Sequence, residues 1–314
     1  MRVLISGSTG MIGSALAARL RQQGDDVASL ARPATRVRTS GGNPSGQNQI
    51  VHWDPVAGTL DRGADGADAV VHLAGASIAG GRWTSSRKRL LRDSRIAATH
   101  NLIDELKKLK RPPRVFVAAS AIGYYGDRAD EELTEASAPG EDFLADLTRQ
   151  WEEASSRASE FGARVVFVRI GIVLAKEGGA LPRMALPFRF GAGGRLGTGR
   201  QWMSWVALED LLAIIQYAMH SESIAGPTNA VSPRPVRNAE FTRILAKVLH
   251  RPALFPAPAF ALRLALGEMA DALLLSSQKV LPKKLASLGY HFAYPDLEAA
   301  LWAIFRTKTP SGRS

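Results

Sequence analysis

The chain has 314 residues, of which 46% are hydrophobic and 22% charged, so it can form about two domains with a substantial core and is not a disordered polymer. It has no cysteine, which excludes disulfides, thiolate catalysis and thiolate metal sites, and we expect no other metal site. Its net charge of +11 favours anionic ligands, but the basic residues are scattered and form no recognised nucleic-acid module, so we expect no specific nucleic-acid partner.

The N-terminal stretch predicts a strand, a glycine turn and a helix. Arg2 to Ser6 is short, apolar and β-branched, as in a buried strand, and Ala15 to Gln23 has good helix formers. Between them, Gly7 would permit a tight turn, Gly10 would let a phosphate approach the backbone, and Gly13 would let the helix lie close on the strand. The helix N-terminus would then bind an anion, unless the glycines are incidental to a plain βα turn. The predicted backbone contacts to a dinucleotide pyrophosphate are Ser8, Thr9, Met11 and Ile12.

The end of the second predicted strand, Asp26 to Ala31, indicates which dinucleotide is bound. NAD-binding folds usually place an acid there to accept hydrogen bonds from the ribose, whereas this chain has Arg32, with Arg36 and Arg38 in the loop beyond. Arginine cannot accept a hydrogen bond from a ribose hydroxyl, but it can clamp a 2′-phosphate. We therefore expect NADP(H) rather than NAD(H), with a solvated loop arginine as the alternative. Asp54, after the third predicted strand, is a candidate for contacting the adenine amine.

Two further predicted strands end in candidate site residues. Ala69 to Leu73 continues into Ala74 and Gly75, and small residues there would let the chain pass beneath a cofactor. His72 lies within this strand, where we interpret it as a core residue rather than a catalytic one. Arg114 to Ala119 runs into the segment Ser120 to Gly126, at the carboxyl end where open α/β sheets bind ligands.

Strands alternating with helices predict an α/β fold, a doubly wound parallel sheet of about seven strands with helices on both faces. Ser85 to Lys110 is predicted as one long helix. Gly178 to Arg200 is predicted as a loop region, whose arginines either close over an anionic ligand or are solvated on a flexible connection. The predicted domains are a dinucleotide-binding Rossmann domain over 1–173, to which 201–231 returns, and a smaller C-terminal substrate lobe over 174–200 and 232–306, followed by a tail over 307–314.

Nothing in the sequence predicts targeting to a membrane. Met1 runs directly into a predicted core strand without a signal peptide, and the apolar stretch Ala253 to Leu275 is interrupted by prolines and charges. We therefore expect a soluble cytoplasmic protein with a small-molecule substrate and no membrane partner, present as a monomer or homodimer.

These motifs resemble the extended short-chain dehydrogenase/reductase superfamily. Gly7-x-x-Gly10-x-x-Gly13 resembles its cofactor turn, and Leu73-Ala74-Gly75 resembles its second cofactor-side motif. More narrowly, the chain resembles the atypical NAD-dependent epimerase/dehydratase subfamily, or family 39U member 1-like proteins, including their small C-terminal domain of unassigned role. The segments that carry this narrower resemblance are Trp53 to Pro55, His72 to Ile78, Arg82 to Thr84, Ser94-Arg95 with Thr99, Ser120 to Gly126, Gly199 to Trp202, Ser204 to Val206, Leu266 to Ala270, Ser276 to Gln278 and Pro282 to Leu285.

The resemblance implies a nicotinamide dinucleotide cofactor and a small carbonyl or hydroxyl substrate, with nucleotide sugars as one class. It also implies a Tyr-x-x-x-Lys pair, in which tyrosine exchanges a proton with the substrate and lysine lowers the tyrosine pKa. Here the expected helix, Phe143 to Trp151, contains no tyrosine, and none of the five tyrosines in the chain has a lysine four positions on. Ser120 matches the superfamily's active-site serine and is also a predicted cofactor contact, whereas Arg95 stands where extended members often carry asparagine.

Two functional hypotheses follow from this pattern. The first is an NADP(H)-dependent oxidoreductase or epimerase, in which Ser120 hydrogen-bonds the substrate oxygen and Tyr124 or Tyr125 supplies the proton. Because a free tyrosine has a pKa of about 10, this acid would need a nearby cation such as Arg95. The second is a non-catalytic sensor or scaffold whose NADP(H) occupancy controls a partner. The alternative role for both tyrosines is to cover the nicotinamide by packing. The predicted substrate-binding residues are Arg95, Arg200 and Trp202.

Overall fold

A computed structural model describes residues 1–32 and 49–306, so Arg36, Arg38 and the predicted tail over 307–314 lie outside the described residues. The strands are β1 (Arg2–Ser6), β2 (Asp26–Ala31), β3 (Gln49–Asp54), β4 (Thr59–Leu60), β5 (Ala69–His72), β6 (Val115–Ala121), β7 (Glu132–Leu133), β8 (Arg164–Ile170), β9 (Ile172–Leu174), β10 (Trp202–Met203), β11 (Trp205–Ala207), β12 (Gly226–Ala230), β13 (Val236–Arg237) and β14 (Lys279–Val280). The α-helices are α1 (Met11–Gln22), α2 (Ser85–Arg92), α3 (Ala98–Lys107), α4 (Phe143–Ser156), α5 (Leu181–Arg189), α6 (Leu208–His220), α7 (Asn238–Leu249), α8 (Ala259–Leu266), α9 (Glu268–Ala270), α10 (Lys283–Ser287) and α11 (Leu297–Arg306).

Within the described ranges, eight strands form one sheet in the order β12-β8-β6-β5-β1-β2-β3-β4. β1 lies parallel between β2 and β5, β2 pairs parallel with β3, and β5 pairs parallel with β6. β4 turns back antiparallel to β3, and the sequence-based prediction of a wholly parallel sheet missed this short edge strand. The central strands are buried along their length, as expected where helices cover both faces. The predicted α/β Rossmann fold is confirmed.

The strand register brings the candidate site residues to one edge. Ser6 at the end of β1 lies opposite Leu30 of β2 and His72 of β5, and His72 lies opposite Ala118 of β6. Residues just beyond these positions therefore emerge together at the carboxyl edge of the sheet. They are Gly7, Arg32, Leu73 and Ser120.

The predicted long helix Ser85 to Lys110 is instead two α-helices joined by a π-helical turn, Asp93–Ala97. Thr84 caps α2 by accepting a hydrogen bond from the Arg87 amide. The extra residue in the π turn carries Arg95 into the interior, where it is 8% exposed. No proline or glycine marks this turn in the sequence, so helix periodicity alone could not predict it.

The chain forms two compact units. Unit 1 comprises Met1–Ala121, Asp146–Arg169 and Leu212–Thr228, and unit 2 comprises Ile122–Ala145, Ile170–Leu211 and Asn229–Ser314. The predicted boundaries placed residues 122–145 with the dinucleotide-binding domain. These residues group with unit 2 because Tyr125 and Leu133 pack with Val231 and Val280, and because β7 pairs with β14.

Unit 2 also contains the region that was predicted as a loop from Gly178 to Arg200. Helix α5 occupies its middle, with Pro182 in the first turn where proline needs no amide partner. Leu181 and Phe188 of this helix pack into a core with Trp205 and Phe241. None of the helices in the described ranges has the length and apolarity of a membrane span.

Candidate functional site

The glycine turn after β1 leaves little room for side chains. Gly7 has φ +69°, and a Cβ there would lie 2.8 Å from the carbonyl carbon of Leu73. A Cβ on Gly13 would lie 2.9 Å from both the carbonyl carbon of Gly7 and the Cα of Ser8. Since real Cβ atoms do not approach backbone this closely, both positions require glycine. The turn therefore packs directly against the end of β5, and α1 packs directly against the turn.

Helix α1 begins without a side-chain cap. Gly10 is its N-cap residue, no side chain caps the helix, and its first turn contains no acidic residue. The free amides of the first turn, including those of Met11 and Ile12, point out of the N-terminal end of the helix, where they attract an anion. A turn of glycines that ends in an uncapped helix fits a pyrophosphate, with Ser8 and Thr9 in the same loop.

Arg32 follows β2, Asp54 is the last residue of the adjacent strand β3, and the two are close enough to interact. The Asp54 carboxylate accepts hydrogen bonds through Oδ1 from the amides of Val56 at 2.8 Å and Ala57 at 3.0 Å. These hydrogen bonds, with a smaller contribution from the Arg32 charge, lower the pKa of Asp54. Arg32 itself is exposed, so its guanidinium is accessible to an anionic ligand.

A buried polar chain links the first and second glycine motifs. The Ser6 hydroxyl accepts hydrogen bonds from the amides of Leu73 at 3.1 Å and Ala74 at 3.2 Å, and lies 2.7 Å from His72 Nδ1. On the other side of the ring, His72 Nε2 lies 3.0 Å from the Thr99 hydroxyl, which also accepts from the Trp151 indole at 3.2 Å. Ser6 thus holds the start of the Leu73-Ala74-Gly75 segment beside the glycine turn.

Donor and acceptor requirements determine the tautomer of His72. Since Ser6 already accepts two amide hydrogens, its own proton goes to His72 Nδ1. The Thr99 hydroxyl donates to the Arg95 carbonyl, so it accepts from His72 Nε2–H. The ring is therefore neutral, and complete burial together with the Arg95 charge lowers its pKa to about 4. This placement agrees with the interpretation of His72 as a core residue.

Arg95, predicted to bind substrate, instead donates hydrogen bonds to backbone carbonyls. Its guanidinium donates to the Ala76 carbonyl at 3.0 Å and stacks 5.1 Å above the Trp151 ring. A Cβ on Gly75 would lie 3.0 Å from the Arg95 Cζ, so the arginine packs under this glycine. Burial and the Arg87 charge lower the pKa of Arg95 to about 10. These contacts favour a role in supporting the segment beneath a cofactor over direct contact with substrate.

Ser120 belongs to a buried triad that sequence reasoning missed. Its hydroxyl donates to Glu152 Oε1 at 2.6 Å, and Arg169 donates from Nε and Nη2 to the two carboxylate oxygens, both at 2.8 Å. Ser120, Glu152 and Arg169 are 3%, 9% and 2% exposed. They come from the end of β6, from α4 and from the end of β8, so three elements converge on this point.

Signals for both partners are present in the sequence. Glu152 directly follows Trp151 on the side of α4 that faces the core, and Arg169 interrupts the apolar run of β8. A charge at such a position requires a partner, and each could have suggested the other.

The two candidate tyrosines have different surroundings in unit 2. Tyr125 is completely buried, and its hydroxyl donates to Asn229 Oδ1 at 2.6 Å. The backbone amide of Asn229 donates to Glu135 Oε1 at 3.1 Å, which holds Asn229 in place. The Tyr125 proton is therefore engaged within the core. Tyr124 is half-buried and packs edge-on against Tyr125, with ring centroids 5.4 Å apart. Tyr125 is therefore a core residue, and Tyr124 has the more accessible phenol.

Arg200 and Trp202 lie in unit 2 around a cluster centred on Asp130. Asp130 Oδ1 accepts from the Trp202 indole at 2.8 Å and from Arg237 at 2.9 Å, and the Arg237 guanidinium lies 4.6 Å from the Trp202 ring centroid. The Trp202 hydrogen bond contributes most to lowering the pKa of Asp130, followed by the charges of Arg237 and Arg200. A cavity of about 510 Å³ adjoins this cluster and is lined by Arg200, Arg237 and Arg263 among others.

Comparison with known proteins identifies the family. The model of the NAD dependent epimerase/dehydratase family matches residues 3–231, which is most of the chain. The chain belongs to this family. A domain of unknown function, DUF1731, matches residues 257–304 in the C-terminal part of unit 2. The resemblance inferred from the glycine turn, the Leu73-Ala74-Gly75 segment and the C-terminal segments is thus confirmed.

Members of the epimerase/dehydratase family align along nearly the whole chain. An epimerase family protein of Mycobacterium leprae is 41% identical over 310 residues, covering 98% of this chain and 96% of the relative. The crystal structure of human epimerase family protein SDR39U1 with NADPH matches with a TM-score of 0.87 and 33% identity, covering 97% of this chain and 99% of the human chain. A nucleoside-diphosphate sugar epimerase from Corynebacterium glutamicum matches with a TM-score of 0.76 and 36% identity, covering 97% of this chain and 58% of its own.

Proposed function

We propose that this protein is an NADP(H)-dependent oxidoreductase or epimerase acting on a small anionic substrate with a hydroxyl or carbonyl group, such as a nucleotide sugar. The observation that carries the proposal is the glycine turn, in which Gly7 and Gly13 have no room for a Cβ and α1 begins without a side-chain cap. The human relative with NADPH supports the choice of dinucleotide.

The carboxyl edge of unit 1 is the proposed cofactor site. The amides that follow Gly7 and Gly10 hold the pyrophosphate, and Arg32 binds the 2′-phosphate. Asp54 would accept from the adenine amine through Oδ2, since Oδ1 caps the turn after β3. The proposed lining of the cofactor comprises Leu73, Ala74, Gly75 and Ser120. When bound, a nicotinamide dinucleotide supplies or accepts a hydride.

In the proposed reaction, Ser120 hydrogen-bonds the substrate oxygen and Tyr124 transfers the proton. Tyr125 is set aside because its hydroxyl is already donated to Asn229. Arg95 is set aside as the activating cation because backbone carbonyls take its guanidinium.

The proposed contacts for an anionic group of the substrate are Arg200 and Trp202. Arg200 is exposed, and within the described ranges its guanidinium makes no hydrogen bond or ion pair. Trp202 lies beside this cavity with Arg237 and Lys279 over its ring, and the cavity is lined by three arginines, a concentration of positive charge that suits a ligand carrying phosphates. The name of the Corynebacterium relative supports nucleotide sugars as the class.

A non-catalytic NADP(H)-dependent sensor is the second candidate. The observation that favours it is that α4 contains no tyrosine and no lysine. A sensor would bind NADPH as tightly as the enzyme but would not oxidise it with any substrate.

Replacing Arg32 by alanine tests the cofactor assignment. A hydrogen bond to a charged group is worth about 1.5–3 kcal/mol, and the lower value applies because Arg32 is exposed. We expect NADPH to bind roughly tenfold more weakly and NADH to bind unchanged, measured by fluorescence titration. Arg62→Ala, which removes another exposed arginine of unit 1, should leave both affinities unchanged. Equal losses for NADPH and NADH in Arg32→Ala would refute the assignment.

Measuring NADPH absorbance during a screen of carbonyl compounds then separates the enzyme from the sensor. Nucleotide-linked keto sugars and simple ketones form the two halves of the screen. Loss of absorbance with a ketone, or gain of absorbance with NADP⁺ and the matching alcohol, supports the enzyme when it requires Ser120. Tight NADPH binding without turnover in either direction supports the sensor.

A further inference from the structure

We propose that Glu152 and Arg169 fix Ser120 as a hydrogen-bond acceptor, so that the ligand group meeting Ser120 is a hydroxyl and not a carbonyl oxygen. This inference deepens the proposed function and rests on it for the assignment of Ser120 to the substrate. Glu152 and Arg169 act through Ser120 and are positioning residues.

The carboxylate of Glu152 is held ionised by geometry. Arg169 donates to both of its oxygens at 2.8 Å, and arginine remains protonated at any ordinary pH. Both side chains are almost completely buried, so water does not screen the pair. An ionised carboxylate has no proton to donate, so it can only accept from Ser120.

The single proton of Ser120 is therefore already used. At 2.6 Å from Glu152 Oε1, the hydroxyl donates a short, charge-assisted hydrogen bond, and its oxygen has only lone pairs left. A ligand hydroxyl can donate to those lone pairs. A ligand carbonyl would place two acceptors against each other in a buried place, which costs affinity by roughly tenfold or more.

The position of the triad makes it more than a support of the core. Ser120 lies two residues beyond Ala118, which pairs with His72, so it emerges at the same edge of the sheet as the glycine turn. Stability alone does not explain a buried ion pair, since its desolvation cost offsets most of its attraction. One residue along α4, Glu153 makes an exposed pair with Arg149 at 3.4 Å. The chain thus offers a solvated pair of the same composition as a control.

The test compares ligands that differ only in donor and acceptor character. The probes are cyclohexanol with cyclohexanone and cyclopentanol with cyclopentanone. They bind in competition to protein saturated with a tetrahydro analogue of NADPH, which cannot transfer hydride. Saturation-transfer NMR measures the affinity ratio of each pair. We expect the alcohol to bind at least about tenfold more tightly than the matching ketone. Preference for the ketone, or failure of every alcohol to bind, would overturn the assignment of ligand class.

The variants test whether Glu152 and Arg169 cause this preference. In the double variant Glu152→Gln with Arg169→Gln, the new amide can donate to Ser120 and free its proton. The alcohol-to-ketone ratio should then fall to within about twofold of one. The matched control, Arg149→Gln with Glu153→Gln, should keep the wild-type ratio. If the triad is purely structural, the double variant should weaken binding of the alcohol and of the ketone equally and leave their ratio unchanged. That result would overturn the proposal.

Neutron diffraction of the wild-type protein decides the question without any variant. A deuteron on Ser120 Oγ directed at Glu152, with no deuteron on the carboxylate, is the expected result. A deuteron on Glu152, or a Ser120 deuteron directed elsewhere, would overturn the inference even if the buried double variant fails to fold. Failure of the wild-type protein to bind NADPH would instead refute the proposed function. The neutron map therefore distinguishes failure of this inference from failure of the proposed function.

Discussion

Replacing Gly10 by alanine separates the space that the fold needs from the space that a bound dinucleotide needs. Gly10 has φ −78° and ψ 166°, which alanine adopts without strain. Apart from its chain neighbours, the one described atom that a Cβ at this position would meet within 4 Å is the carbonyl oxygen of Gly7, at 3.3 Å. The turn has to yield by a few tenths of an ångström, and we expect a loss of about 0.5–1 kcal/mol, typical for alanine at an N-cap.

The same methyl group would enter the space in front of the first turn of α1, where the pyrophosphate is proposed to bind. Each hydrogen bond between an amide and a charged phosphate is worth about 1.5–3 kcal/mol. Breaking one of them weakens NADPH binding by roughly 10- to 150-fold. The assay is a fluorescence titration with NADPH, with thermal unfolding measured on the same sample.

Two other glycines provide the comparison. Gly63→Ala places its Cβ 3.4 Å from Val51 Cγ2, an ordinary contact, so both affinity and stability should stay unchanged. Gly13→Ala brings its Cβ within 2.9 Å of backbone. The overpacking should lower stability by about 1–3 kcal/mol and weaken NADPH binding as well. If Gly10→Ala binds NADPH like the wild-type protein, the glycine turn does not hold the pyrophosphate and the proposed function loses its main support.

Three further predictions use other parts of the structure. The pKa of His72 is about 4 in the folded protein against 6.5 for a free histidine, so the unfolded state takes up the proton first and stability falls as pH drops from 6.5 to 4. The loss approaches about 3 kcal/mol, and denaturation of His72→Gln should show a correspondingly flatter pH dependence. Tyr125→Phe should lower stability by about 1–2 kcal/mol without changing NADPH affinity, whereas Tyr124→Phe should slow any reductase activity at least about tenfold. Trp202→Phe removes the indole donor to Asp130, so the pKa of that carboxyl should rise toward its ordinary value in an NMR titration; an unchanged pKa would contradict the hydrogen bond.

The fold was predictable because its strongest signals are local. A strand, three glycines and a helix lie within the first 23 residues, and each glycine is explained by backbone a few residues away or at the end of β5. The π turn at Asp93–Ala97 was not predictable, because the residues that drive it inward, such as Trp151, lie far along the chain. Helix α5 was missed because glycines flank it and it contains two prolines.

The candidate site was predictable where one residue type excludes a chemistry, and less so where partners are distant. Arg32 excludes an acid at the end of β2, and that inference needs no tertiary contact. By contrast, the sequence offered Tyr124 and Tyr125 as equal candidates, and the hydrogen bond to Asn229, 104 positions away from Tyr125, distinguishes them. The sequence likewise indicates Arg95 as a ligand contact. The structure is needed to show the backbone carbonyls to which its guanidinium donates.

Two buried polar groups support the carboxyl edge of unit 1, and they differ in how they respond to protons. The chain through Ser6, His72 and Thr99 is neutral, and protonating its imidazole would force Nδ1 to donate to a serine that already donates to it. The triad of Ser120, Glu152 and Arg169 is charged, with both carboxylate oxygens already bonded to arginine. Mild acid should therefore disturb the contact between Ser6 and the amides of Leu73 and Ala74 before it alters the orientation of Ser120. As the pH falls through about 4, where folded His72 takes up its proton, we expect NADPH affinity to weaken while the alcohol-to-ketone ratio at Ser120 stays constant. A ratio that changes in step with NADPH affinity would show that the two networks act as one.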